Sequence, residues 1–149
     1  MPGRIRVGRP TDPGDRQVFF EIVPDLLAIL GFDGYLRDAN TSWQARLAWN
    51  RVDLLRTPFV DLVHADDRAA TVASLAGVRR GIFMGTIENR VLGGDGHHRR
   101  VRWSAAGVPT RSKVYLVGRE LEPMPFAGPA VTPTLVVPPA PRNISTGPN

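Results

Sequence analysis

Cysteine is absent from the 149 residues. That removes disulfides, thiolate metal sites and a cysteine nucleophile together. Lysine is nearly absent, since Lys113 is the only one among the 19 basic side chains. Aromatic residues make up 7% of the chain, so each large ring is expected in the core. Long apolar runs are missing too. Leu26 to Leu30 is the longest, far too short to span a bilayer, and the N-terminal residues 1–15 hold no stretch of signal-peptide length. These absences point to a cytoplasmic chain with no membrane attachment. Acidic residues number 14 against the 19 basic ones, which leaves a net charge of +5. Basic proteins of this kind invite a nucleic-acid reading. An almost pure arginine supply is better explained by a compositional bias, and specific nucleic-acid binding is not expected.

What is present reads as one domain. Residues 1–15 are rich in Pro, Gly, Arg and Asp, without apolar periodicity, and are expected to be flexible. Val18, Phe19, Ile22 and Val23 then fall at helical spacing, and Pro24 ends that segment. Leu26–Leu30 reads as a buried strand, Asp33-Gly34 as a two-residue hairpin turn, and Tyr35–Asp38 as its partner strand. Asn40 is placed to cap a helix on which Trp43 and Leu47 share a face. Two short helical turns follow, broken at Pro58. The clearest helix runs from Asp66, its expected cap, to Arg80, with Ala69, Val72, Leu75 and Ala76 as its apolar face and Gly81 as its stop. Three strands complete the domain, the first two joined by the turn Gly93–Gly96. In the second of them Val101, Trp103 and Ala105 point one way, and His98, Arg100, Arg102 and Ser104 the other. Residues 122–149 carry eight of the 14 prolines and are expected to form a disordered tail. The fold class is therefore α+β: a five-stranded antiparallel sheet with short helices on one face, spanning residues 16–121.

Four segments in order carry a family resemblance. They are the hairpin "PDLLAILGFDGYLRDAN", the helical stretch "NTSWQARLAWNRVDLLRTPFVDLVHADD", the strands "ENRVLGGDGHHRRVRWSA" and the closing Gly-Arg-Glu-Leu of residues 118–121. Together they resemble the PAS family over residues 17–121, about 70% of the chain. The chain departs from the family pattern at Ala65, where relatives carry Pro, and at His98–Arg100, which make one strand face more cationic. The resemblance implies a sensory, signal-transducing module rather than an enzyme, acting on a separate output protein. Pro123 and Pro125 would end any signalling helix leading to a fused output domain.

The resemblance also bounds the cofactors. Flavin sensing through a cysteine adduct and a thioester-linked chromophore both need a cysteine, so both are excluded; the cofactor is otherwise unknown. Haem is not expected, because the long helix carries no His and His64, just before it, reads as a capping or surface residue. His97 and His98 are adjacent on a strand and point to opposite faces, so no metal site is expected. "GGDGHH" lacks the acidic residue and the Phe of a cyclase signature and reads as a turn. Two functional readings stand. In one, a small ligand occupies a pocket walled by Leu27, Ile29, Trp43, Leu47, Phe59, Leu62, Val72, Leu75, Ile87 and Trp103, with Asn40, Thr86, Ser104 and Arg102 as polar groups if they face inward. In the other, no ligand binds and the same apolar residues fill a solid core. A second copy or another protein then docks through the outer sheet face and the N-terminal amphipathic helix, with Phe19, Phe20 and Ile22 as the contact residues.

Overall fold

Alternation of side chains sets the sheet. The computed structural model describes residues 8–81 and 84–122. Its strands are β1 (Leu26–Gly31), β2 (Leu36–Ala39), β3 (Met84–Leu92), β4 (His98–Val108) and β5 (Lys113–Glu120). Its helices are α1 (Pro13–Ile22), α2 (Ser42–Leu47), α3 (Arg51–Leu55), α4 (Phe59–Leu62) and α5 (Ala65–Arg79). The spatial order is β2-β1-β5-β4-β3, with every neighbouring pair antiparallel. First and last strands therefore pair at the centre, and α2–α5 carry the chain from one edge to the other. The expected tail, residues 123–149, lies outside the described residues, as do residues 1–7.

Every strand contributes inward side chains at a spacing of two. Leu26, Ala28 and Leu30 come from β1, Leu36 from β2, Ile87 and Val91 from β3, Val101, Trp103 and Ala105 from β4, and Val114 and Leu116 from β5. Trp43, Leu47, Leu54, Phe59, Leu62, Leu75 and Val78 close the core from the helices. Each large side chain so buried is worth about 1.5–3 kcal/mol, so this one layer carries most of the folding energy.

Several local expectations need correction. Leu27 and Ile29 belong to the opposite face of the sheet, because a strand of consecutive apolar residues still alternates and Leu26, Ala28 and Leu30 take the core side. The β1–β2 turn spans three residues rather than two. The Gly34 N–H donates to the Gly31 carbonyl, the Gly31 N–H donates to Tyr35, and only Gly34 has positive φ. That is a type I turn closed by a glycine bulge. Asn40 does not cap α2. Its Oδ1 accepts from Leu27 N–H at 3.0 Å, and its Nδ2 donates to the carbonyls of Val23 and Asp25. It thus stitches the segment before β1 to the end of β2. The cap of α5 is His64, whose Nδ1 accepts from the Asp66 N–H at 3.0 Å, and not Asp66. The buried face of α5 is Thr71, Leu75 and Val78, while Val72 is 50% exposed. Helix α1 starts at Pro13, capped by Asp12, ahead of the expected boundary.

The β3–β4 turn repeats the β1–β2 turn. Gly31-Phe32-Asp33-Gly34-Tyr35-Leu36-Arg37 and Gly93-Gly94-Asp95-Gly96-His97-His98-Arg99 share one pattern, G-x-D-G-x-x-R. In each the Asp accepts from the backbone N–H two residues on, and pairs with the Arg four residues on at 2.8 Å. Both glycines before the return strand have positive φ. The arginine lowers each Asp pKa below the ordinary carboxylate range. This short internal repeat was not anticipated.

Candidate functional site: a bridged core and an uncovered helix

The core holds most of the expected pocket walls, but packed against one another. The rings of Trp43 and Trp103 stack with centroids 5.8 Å apart, and Phe59 meets Trp103 edge-on at 5.6 Å. Leu47, Leu62, Leu75 and Ile87 surround them, all buried. These side chains converge, whereas Leu27, Ile29 and Val72 do not. Three of the expected walls, Trp43, Phe59 and Trp103, thus meet ring against ring. Of the polar groups, Asn40 is consumed by backbone, and Thr86, Arg102 and Ser104 face outward.

A buried polar chain crosses this core, and two of its members were missed in the sequence. Trp103 Nε1 donates to Asn89 Oδ1 at 3.0 Å, Asn89 Nδ2 donates to Thr71 Oγ1 at 3.1 Å, and Thr71 Oγ1 donates to the Asp67 carbonyl at 2.8 Å. The chain links β4, β3 and α5, and every described donor in it has an acceptor. The signal for Asn89 lay in its spacing: it sits between Ile87 and Val91, two residues from each, so it must point inward.

The same helix is latched at its start. Asp67 accepts from the Arg90 backbone N–H and from Arg90 Nε and Nη2, all at 2.8–2.9 Å. The guanidinium beside it holds the Asp67 pKa down to about 2. His64 and His98 meet next to this latch, with ring centroids 4.8 Å apart. Burial, then the neighbouring His64, push the His98 pKa down.

Among the described residues the surface offers several concave features, two of which bear on function, and one helix that buries no side chain. An open groove of about 510 Å³ runs between α5 and β3, lined by Ala73, Ser74, Gly77, Val78, Gly85, Thr86 and Ile87. A cleft of about 150 Å³ lies beside Glu21, Trp49 and Arg51. Helix α1 buries no side chain: Val18, Phe19 and Ile22 are 56%, 63% and 65% exposed. Phe20 is half-buried, on the other side of the helix. The helix is tethered at its end by Glu21 Oε1, which accepts from the N–H and hydroxyl of Thr41. Among the described residues no three His, Asp or Glu side chains are grouped as a metal site, and no helix is long and apolar enough to cross a membrane.

The strand order, with the first strand between the second and the fifth and the helices in one crossover, matches solved structures closely enough to decide the fold. A domain of the sensory box sensor histidine kinase/response regulator from Geobacter sulfurreducens superposes with a TM-score of 0.63 at 24% identity, over 71% of this chain and 91% of that one. This chain has the PAS fold. The PAS domain of an HTR-like protein from Haloarcula marismortui gives a TM-score of 0.64 at 17% identity, over 72% of this chain and 96% of its own. The PAS domain of the Cronobacter turicensis RpfR quorum-sensing receptor, solved in complex with C12:0, gives 0.58 at 13% identity, over 67% and 96%. No family model and no curated protein matches the sequence.

Proposed function

We propose that this chain is a sensory, signal-transducing PAS module that works by protein association through α1, without catalysis of its own. One observation carries the reading: α1 presents Val18, Phe19 and Ile22 uncovered by any of the described residues. These three lie on one side of the helix, at spacings of one, three and four. An apolar stripe of this kind is self-complementary when two copies meet about a two-fold axis. The occupant is therefore a second copy. Phe20, turned toward its own domain, sets the orientation of the stripe rather than entering the contact. The solved relatives support a sensory role, since one is the domain of a sensor histidine kinase and another of a quorum-sensing receptor.

A ligand-binding reading finds its support in the groove between α5 and β3, whose apolar wall includes Val78 and Ile87 and whose polar groups are Ser74 and Thr86. It moves the site from the expected core to its edge. Sedimentation velocity of the full chain tests association directly. Wild type is expected to run as a dimer and the Phe19→Asp, Ile22→Asp variant as a folded monomer. A wild type that stays monomeric at high concentration would sink the α1 reading.

A further inference from the structure

The two edges of the sheet are closed unequally. β2 is four residues long, its register with β1 is irregular, and its Ala39 carbonyl accepts from Arg51 Nη1. β3 is nine residues long and pairs with β4 without a break. Its far end is covered. The Arg90 N–H donates to Asp67 Oδ2, the Arg90 carbonyl accepts from the His64 N–H, and Val91 pairs with Val63. Both main-chain groups of Arg90 therefore point away from β4. In an antiparallel ladder this orientation recurs at every second residue. The N–H and carbonyl of Thr86 and of Glu88 thus point to the open edge as well. No described residue donates to these carbonyls or accepts from these N–H groups. An unpaired strand edge is a template for another strand.

We propose that the open half of β3 receives a short extended segment of a partner protein as an added strand, seated between that edge and α5. Three observations select this occupant. First, the unmet groups are main-chain donors and acceptors in alternation. An extended backbone matches them, whereas a helix spends its main chain on itself. Second, there is room beside the edge. The groove of about 510 Å³ between α5 and β3 has Ala73, Ser74 and Gly77 on its helical wall, and a Cβ at Gly77 would meet nothing within 4 Å. Third, the open stretch is short. Two copies that paired Thr86 of one with Glu88 of the other would set Met84 of one opposite Arg90 of the other, where Asp67 and His64 already hold both groups. A short segment avoids that collision, and a second copy does not. The fold also sets the pattern of the segment. Side chains beside Ile87 turn toward Val78 and the small helical wall, so they are apolar. Those beside Thr86 and Glu88 lie on the exposed face and are polar. No residue of α1 lines the groove, so this surface does not rest on association through that helix.

The test is amide hydrogen exchange and peptide titration of the isotope-labelled full chain, followed by NMR. In the free chain the Thr86 and Glu88 amides are expected to exchange at least about tenfold faster than those of Ile87 and Asn89, which bond to β4. The probe is a short synthetic peptide of alternating Thr and Val, whose saturation should slow both amides by at least about tenfold. Two isomers of the probe carry the decisive comparison. N-methylation at Thr blocks the edge that faces β3 and should weaken binding at least about tenfold. N-methylation at Val, whose N–H faces away, should leave binding unchanged. Gly77→Leu fills the groove from the helix. It should abolish binding while the melting temperature holds or rises, because glycine inside a helix is destabilising. Thr86→Pro removes an N–H that the β4 ladder does not use and should abolish binding as well. Equal affinity of the two methylated isomers, the behaviour of a groove that merely takes apolar groups, would overturn the proposal. So would peptide binding retained by folded Gly77→Leu, or no binding of the unmethylated peptide at about 1 mM. Slow exchange of Thr86 and Glu88 in the free chain would overturn it too, by showing that the edge is already taken.

Discussion

Replacing Asn89 with Leu removes the middle of the buried polar chain at almost constant volume. Trp103 Nε1 is left without its acceptor in a position that is 1% exposed. Thr71 keeps its own donation to the Asp67 carbonyl and adds little to the cost. An orphaned buried donor costs about 1–3 kcal/mol, so the single variant should lose about 2 kcal/mol. For a domain of about 100 residues that lowers the melting temperature by about 10 °C. Trp103→Phe alone should also destabilise, because Asn89 Oδ1 then loses its donor and the smaller ring leaves space between Trp43 and Phe59. The informative variant combines Asn89→Leu with Trp103→Phe. Donor and acceptor are then removed together and no polar group is stranded, so the loss should fall short of the sum by about 1–2 kcal/mol. Urea unfolding followed by far-ultraviolet circular dichroism measures all four proteins independently of indole fluorescence. Additive losses, within about 0.5 kcal/mol, would refute the claim that the indole and the amide stabilise each other.

Three further outcomes follow from the same geometry. Gly118→Ala should cost about 1–3 kcal/mol by overpacking, since its Cβ would come within 2.6 Å of Trp103 Cε3 on a ring already wedged between two others; thermal unfolding reads it. Asp67, with its pKa lowered to about 2 by Arg90, contributes stability that is full above the unfolded value near 4 and is lost as pH falls toward 2. Asp67→Asn should therefore flatten the stability profile over that acid window, and an unchanged profile would show that the latch does not form. His98, with its pKa lowered by burial and by His64, binds a proton less readily folded than unfolded. Stability should fall as pH drops below about 6.5, and melting curves of His98→Gln from pH 8 to 5 should fall less steeply than wild type, while Arg90 and Asp67 stay paired beside the site.

Much of this architecture was legible in the order of residues. Val101, Trp103 and Ala105 alternate with arginines, so the inward face of β4 could be read directly. The five apolar residues from Leu26 to Leu30 show no such alternation, and nothing local tells which of them face the helices. The helical face of α5 is displaced by one position from its apolar pattern because Thr71 is polar by type yet buried by partnership with Asn89. Asn40 followed the rule for a helix cap, but three backbone groups distant in sequence compete for its amide and win. Trp43, Phe59 and Trp103 could be read as pocket walls or as core because wall and filling have the same composition. The 5.6–5.8 Å ring separations are what the structure adds there.

Native mass spectrometry of the full chain, set against its denatured mass, tests association through α1 most directly. Association through the exposed stripe of Val18, Phe19 and Ile22, without a ligand, predicts a dimer whose mass is twice that of the polypeptide, with no excess lost on denaturation. A monomer that retains a non-covalent small molecule would contradict this and establish ligand sensing in its place.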